Sequence, residues 1–179
     1  MSTRLFIFGT GSHARKVFHY ARDLGWEVAA FVDEANDAHA PIADIGVICA
    51  SELSDPKDGE AMFVAIGKPE VRSRLMDELA AAGWRLPNIV HRTAWLAPDA
   101  VLGDGVLVAA GAVVETAAVV GRGAIIDIGA QVDHDARVGA FAHLRAGQVC
   151  GPREVWPSPI QGEDGQALTP AGLNERKQE

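Results

Sequence analysis

From Leu96 to Cys150 the chain repeats every six residues. The first residue of each hexad is Leu96, Leu102, Val108, Val114, Val120, Ile126, Val132, Val138, Leu144 and Cys150, and all are apolar. The fifth is usually alanine: Ala100, Ala112, Ala118, Ala124, Ala130, Ala136 and Ala142. A period of six fits neither the 3.6 of a helix nor the 2 of an ordinary strand. It fits a parallel β-helix, in which each hexad is a short strand plus a corner and three hexads close one triangular coil. The first-position aliphatic then points into the prism. The small fifth residue lets the chain pass the corner, and Gly or Asp takes the bend.

The residues before this repeat have a different grammar. Arg4 to Phe8 (RLFIF) reads as a buried strand, followed by the tight loop Gly9-Thr10-Gly11-Ser12-His13-Ala14 and a helix to about Leu24. Val17, Ala21 and Leu24 are spaced as one apolar helix face, and Gly25 is a natural stop. Glu27 to Asp33 reads as a second strand ending in an acid, which completes a βαβ unit. Asp33 to Asp44 reads as a loop, and Val47 to Ala50 as a short strand. Ala61 to Ile66 is another buried strand. Pro69 suits a first helical turn, and the helix runs to about Ala82 with Val71, Leu75, Leu79 and Ala82 on one face. Leu86 to Val90 is expected to close the sheet. The fold expected is a small Rossmann-like α/β domain over residues 1–90, then a β-solenoid over 91–155, then an irregular tail over 156–179.

The loop satisfies the G-x-G-x-x-G/A fingerprint with Ala14 in last place. Glycines let backbone approach a phosphate, and a helix N-terminus offers free N–H donors and partial positive charge. Asp33 lies near the place of a ribose-binding acid. The alternative is a merely tight strand–helix turn. A half-size nucleotide fold favours a mononucleotide or nucleotide sugar, and leaves an NAD enzyme little room for a second half.

Several function classes are disfavoured by composition. The net charge is −8 with pI near 5.2, which opposes nonspecific binding to nucleic acid or anionic membrane. Cys49 and Cys150 lie far apart and form neither a metal spacing nor a disulfide framework. The six histidines show no ligand spacing, so no metal is expected. No signal peptide and no apolar stretch of membrane-spanning length are read, so a cytoplasmic protein is expected.

Together, GTGSHA, AIGKPEVRSRL, NIVHRTAWLAPDAVLGDG and VDHDARVG on hexads resemble the PglD/NeuD family of bacterial sugar acetyltransferases, over residues 3 to about 151. The resemblance implies a left-handed β-helix, a homotrimer with sites between subunits, and transfer of acetyl from acetyl-CoA to a nucleotide-linked amino sugar. A UDP-linked sugar is the most frequent acceptor of such proteins; O-acetylation of sialic acid is the alternative. It implies that His134 is the general base, which suits a residue titrating near working pH. Asp135 is expected to orient it, with Asp133 as runner-up. It places His143 near the acetyl group, and a backbone N–H near Gly151 at the developing oxyanion. It places Gly9, Gly11, Ser12, His13, Asp33 and Gly67 around the nucleotide sugar, with Lys68 where the family commonly has Asn. It also implies about two further coils for the CoA arm and adenine, whereas the hexads stop at Gly151. This keeps open a second reading, a nucleotide-sugar binder impaired in catalysis.

Overall fold

A computed structural model describes residues 4–160. The N-terminal part runs β1 (Arg4–Phe8), α1 (Ser12–Asp23), β2 (Glu27–Asp33), β3 (Val47–Cys49), β4 (Glu60–Val64) and α2 (Pro69–Ala81). The four strands form one parallel sheet in the order β3-β2-β1-β4. Such a sheet is covered on both faces, so its strands read as unbroken apolar runs. Leu5 and Ile7 pack toward Val17 and Phe18 of α1, while Phe6 and Phe8 pack toward Leu75 and Leu79 of α2.

Both helices depart from their expected faces. Leu24 caps α1 and is exposed; the buried residues are Ala14, Val17, Phe18 and Ala21. In α2, Arg72 and Met76 are buried with Leu75 and Leu79, and Ala82 lies past the end in the open. The reason is a second neighbour. Met76 reaches the solenoid, where its Cε and Sδ crowd Gly105 and Gly123.

Strands β5 to β16 have two residues each: Ile89–Val90, Trp95–Leu96, Val101–Leu102, Leu107–Val108, Val113–Val114, Val119–Val120, Ile125–Ile126, Gln131–Val132, Arg137–Val138, His143–Leu144, Val149–Cys150 and Val155–Trp156. They stack as three parallel sheets, β14-β11-β8-β5, β15-β12-β9-β6 and β16-β13-β10-β7. This is the left-handed parallel β-helix expected, with four strands on each face. The first-position residues from Val108 to Cys150 and the alanines from Ala112 to Ala142 fill its interior.

Two edges of the solenoid differ from expectation. Ile89–Val90 does not close the N-terminal sheet; it pairs with Leu107–Val108 and is the first rung of the solenoid. Only Arg85 bridges back to that sheet, at Ala61. At the far end Val155–Trp156 pairs with Arg137–Val138 although the hexad rule has lapsed. Trp156 is therefore part of the coil rather than of an irregular tail; the remainder of that tail, from residue 161, lies outside the described residues.

The corners set the site's geometry. One residue per corner has positive φ, and equivalent corners recur every 18 residues. The corner leading to sheet β14-β11-β8-β5 uses Gly105, Gly123 and Phe141; the next uses Gly111, Gly129 and Gly147; the third uses Ala117, Asp135 and Arg153. The N-terminal part packs on the first of these corners and on that first sheet, through Ala140, Phe141, Leu107 and Ile125.

Candidate functional site

The N-terminal candidates meet at the carboxyl edge of the sheet. Chain order reverses between β1 and β4, and a crevice opens at such a switch point. Gly9 follows β1 with φ of 112°, and a Cβ there would lie 2.8 Å from Ile66 Cδ1. Its N–H donates to Val32 O at 2.7 Å. Gly11 caps α1, has no side-chain cap partner, and has open space where a Cβ would stand. Ser12 opens the helix and is exposed. The arrangement leaves the first amides of α1 facing a space that backbone or ligand can enter. Asp33, at the end of β2, accepts from Thr10 Oγ1 at 2.7 Å and from Ala35 N–H at 3.1 Å. Its carboxylate is thereby locked against the loop.

The His134 corner lies elsewhere. His134 sits between Gln131–Val132 and Arg137–Val138, half-exposed. Its Nδ1 is 2.8 Å from Asp135 Oδ2. A carboxylate only accepts, so Nδ1 donates and Nε2 keeps its lone pair. Asp133 does not reach the ring; its Oδ1 takes the His134 backbone N–H at 2.7 Å. Asp135 holds φ of 60°, the left-handed conformation Asp tolerates better than most residues. The Asp135 N–H donates to Thr116 O, and Arg153 N–H donates to His134 O, so both neighbouring coils fix the corner. In cross-section this corner is the vertex opposite the sheet that carries the N-terminal part. The prism therefore stands between His134 and the Gly9–Gly11 loop of the same chain.

His143 has the opposite arrangement. Its Nε2 lies 3.2 Å from Asp127 Oδ2, and Lys16 Nζ of α1 holds Asp127 Oδ1 at 2.6 Å. Burial works to raise the Asp127 carboxyl, but the bonds from Lys16, Ile128 N–H and His143, with the Lys16 charge, outweigh it and hold the pKa near 2. An ionised carboxylate accepts, so His143 carries its proton on Nε2 and leaves Nδ1 bare. Burial lowers the His143 pKa; Asp127 opposes this, while Arg72 and Lys16 add to it. His13 is pushed down to about 4, first by burial and then by the charges of Lys16 and Arg72, with Asp127 opposing. Its Nε2 is buried without a hydrogen-bond partner.

Arg72 organises the seam behind these groups. It is 1% exposed. Nε donates to Gly123 O at 2.7 Å, Nη2 to Phe141 O at 2.6 Å, and Nη1 to Ile66 O and Gly67 O at 2.7 and 2.9 Å. It thus binds the Gly67 edge to two solenoid corners. Beside it lies a cleft of about 270 Å³ bordered by Gly67, Pro69, His143, Arg145 and Trp156, among others.

The structure therefore gathers Gly9, Gly11, Ser12 and Asp33 at one edge and ties His13 to His143 through shared charges. It puts His134 with Asp135 on another vertex. The Gly151 N–H, expected to stand open to an oxyanion, instead donates to Glu154 Oε2 at 2.7 Å. Ala109, the second residue of its hexad, is fully buried. Lys16, Arg72 and Asp127 are absent from the sequence reading. A helix Lys and a helix Arg read as surface, and Asp127 reads as one more bend residue of a hexad. Among the described residues no cluster of metal-ligating side chains is present, and no helix is long and apolar enough to cross a membrane.

Three comparisons bear on this arrangement. The family profile of the PglD N-terminal domain matches residues 4–79. PerB from Caulobacter crescentus, solved with CoA and GDP-perosamine, is 37% identical, with 78% of this chain and 67% of PerB covered and a TM-score of 0.67. The acetyltransferase domain of PglB from Neisseria gonorrhoeae, also solved with acetyl coenzyme A, is 28% identical over 83% of this chain and 73% of that one, with a TM-score of 0.72.

Proposed function

This chain belongs to the PglD/NeuD family of sugar acetyltransferases, and from that premise we propose that it moves acetyl from acetyl-CoA to the amino group of a nucleotide-linked sugar, with His134 as general base. The observation that carries the assignment of the base is the Nδ1–H···Asp135 bond at 2.8 Å. It leaves Nε2 as the basic nitrogen on an accessible ring. The sugar amine attacks the thioester carbonyl carbon, and its proton passes to His134 Nε2. The C–S bond then breaks, the amide forms, and coenzyme A leaves as the thiolate, which takes up a proton. Asp135 stabilises the imidazolium that forms.

The nucleotide sugar sits against Gly9, Gly11, Ser12 and the α1 N-terminus, with Asp33 and Gly67 flanking it. Because the prism stands between His134 and that loop, His134 serves the loop of a neighbouring subunit, and three copies related by a threefold axis complete three sites. His143 and the cleft beside Trp156 take the acetyl end of the donor. The Gly151 N–H serves as oxyanion donor once Glu154 swings away.

The test is release of coenzyme A thiol with acetyl-CoA and either a UDP-linked or a GDP-linked amino sugar. Family frequency favours UDP, whereas PerB was solved with the GDP sugar. Turnover with one of the two is expected, and His134→Ala should lower kcat by about 10²–10⁴-fold. Full activity in His134→Ala removes the assigned base.

A further inference from the structure

Lys16 and Asp127 form an ion pair between α1, which carries the nucleotide loop, and a solenoid corner, 111 residues apart in sequence. The same carboxylate meets the ring of His143 on the adjoining sheet. A pair in that position is not needed to join the two parts. Arg72 and the apolar contacts of Leu107, Ile125 and Phe141 already do so. What Asp127 adds is direction. Its two oxygens are divided between two partners, Oδ1 to the loop helix and Oδ2 to the histidine.

We infer that Asp127 is a positioning residue that fixes His143 in the Nε2–H form with Nδ1 bare, and that Lys16 holds Asp127 for this purpose, so that the nucleotide-sugar helix and the acetyl-side histidine share one carboxylate. The inference rests on the reading of His143 as a residue of the acetyl side. It gives the two histidines opposite tautomers. His134 donates from Nδ1 and His143 donates from Nε2, so their bare nitrogens are different atoms. The groups facing His143 are His13 and Lys16 from α1, Arg72 from α2 and Asp127 from its own solenoid. Of these, Arg72 and Lys16 favour a neutral ring, and Asp127 alone selects which nitrogen keeps the proton.

The consequence for catalysis concerns kcat more than binding. A ring free to exchange tautomers presents an N–H donor on Nδ1 part of the time, and in that fraction the acceptor atom is lost. On the tautomer Lys16 acts through the Asp127 oxygen it holds, so the effects of removing the two must overlap.

The experiment uses the full chain with ¹⁵N-labelled histidine, His143 being assigned by its loss in His143→Gln. Ring nitrogen shifts near pH 7.5 are expected to show a protonated Nε2 and a bare Nδ1 for His143. In Asp127→Ala the shifts should move to exchange-averaged values, and kcat should fall at least tenfold while KM for acetyl-CoA changes less than threefold. Asp127→Asn keeps an acceptor oxygen and should restore both the tautomer and most of kcat. Lys16→Met should give an intermediate loss, and the Lys16→Met/Asp127→Ala double variant should be no worse than Asp127→Ala alone. An Nδ1–H tautomer in the parent, unchanged kcat in Asp127→Ala, or multiplying losses in the double variant would overturn the inference. His134→Ala runs in the same assay: if it is fully active while the tautomer result stands, the assigned base is wrong and the role of Asp127 is not.

Discussion

Replacing Arg72 by Met measures what holds the Ile66–Gly67 edge against the solenoid. The guanidinium makes four bonds to backbone carbonyls and meets no carboxylate within hydrogen-bond reach in its site. A hydrogen bond to a charged group is worth about 1.5–3 kcal/mol net. Ile66 is half-buried and Gly67 exposed, so their carbonyls can take water in the variant. Those of Gly123 and Phe141 are buried and cannot. Against this loss stands the cost of burying the charge. Burial lowers the Arg72 pKa to about 10, and its relief returns about 3 kcal/mol at 1.36 kcal/mol per pKa unit. Met fills most of the aliphatic volume, so a cavity adds little. With the two buried bonds lost in full and the two wettable ones by about half, the balance is a loss of about 2–6 kcal/mol. For a chain of this size 1 kcal/mol moves Tm by about 2–4 °C, so Tm should fall by about 4–24 °C. Phe141 is part of the effect. Its φ of 59° is strained for an aromatic residue, and its carbonyl is one of the two that lose their only charged donor. The assay is thermal unfolding by circular dichroism at fixed protein concentration, since an oligomer's Tm depends on it. Arg74→Met is the control. Arg74 lies on the exposed side of the same helix and pairs with Glu34 and Glu78, and such pairs add little. Its Tm should stay within about 2 °C of the parent. If Arg72→Met loses no more than Arg74→Met, the four carbonyl bonds do not hold the seam.

The remaining predictions follow from single distances and shifts. The His13 pKa is depressed to about 4, so between pH 6.5 and 4 the unfolded chain binds a proton that the folded chain refuses. Stability is full above pH 6.5 and should fall by about 3 kcal/mol as pH drops through that window; denaturant titrations of His13→Gln should show a shallower fall, and an identical fall refutes the assignment. A Cβ on Gly121 would stand 2.5 Å from Ala140 N and 2.7 Å from its Cα, backbone that cannot step aside. Gly121→Ala should therefore cost about 2–3 kcal/mol or more by guanidinium unfolding. Gly111→Ala, with open space but φ of 67°, should cost about 1–2 kcal/mol. Asp135→Asn should lower kcat at least tenfold with little change in KM, because the amide oxygen still accepts from Nδ1–H of His134 but carries no charge to steady its imidazolium; unchanged kcat assigns the carboxylate to the corner's shape alone.

How far the sequence could be read depends on whether a residue's role is local. The hexads were legible because inward and corner positions recur at a fixed period, and the loop because Gly9 and Gly11 answer to strand, turn and helix in one short stretch. Ile89–Val90 was misplaced because an apolar pair looks the same at the edge of a sheet or on the first rung of a solenoid. Trp156 was not legible as part of a rung because it covers the core with a residue outside the repeat's usual set. That a carboxylate partners His134 was readable, since Asp133 and Asp135 both adjoin it. Which of the two faces the ring is decided by the backbone of the corner, where Asp135 holds positive φ.

The charged seam illustrates the remaining gap. Lys16, Arg72 and Asp127 each fit an ordinary surface position in their own periodic pattern, and each loses its solvent only where the two patterns meet. Period and composition describe one part of the chain at a time. A buried guanidinium between two solenoid corners, or a carboxylate divided between a helix lysine and a solenoid histidine, is a property of the contact between parts. The charges of these residues also add to, or oppose, what burial does to the protonation of His13 and His143. If His143 serves the acetyl side as proposed, variants along a seam that neither repeat nor fingerprint encodes should change kcat and tautomer while leaving hexads and loop intact.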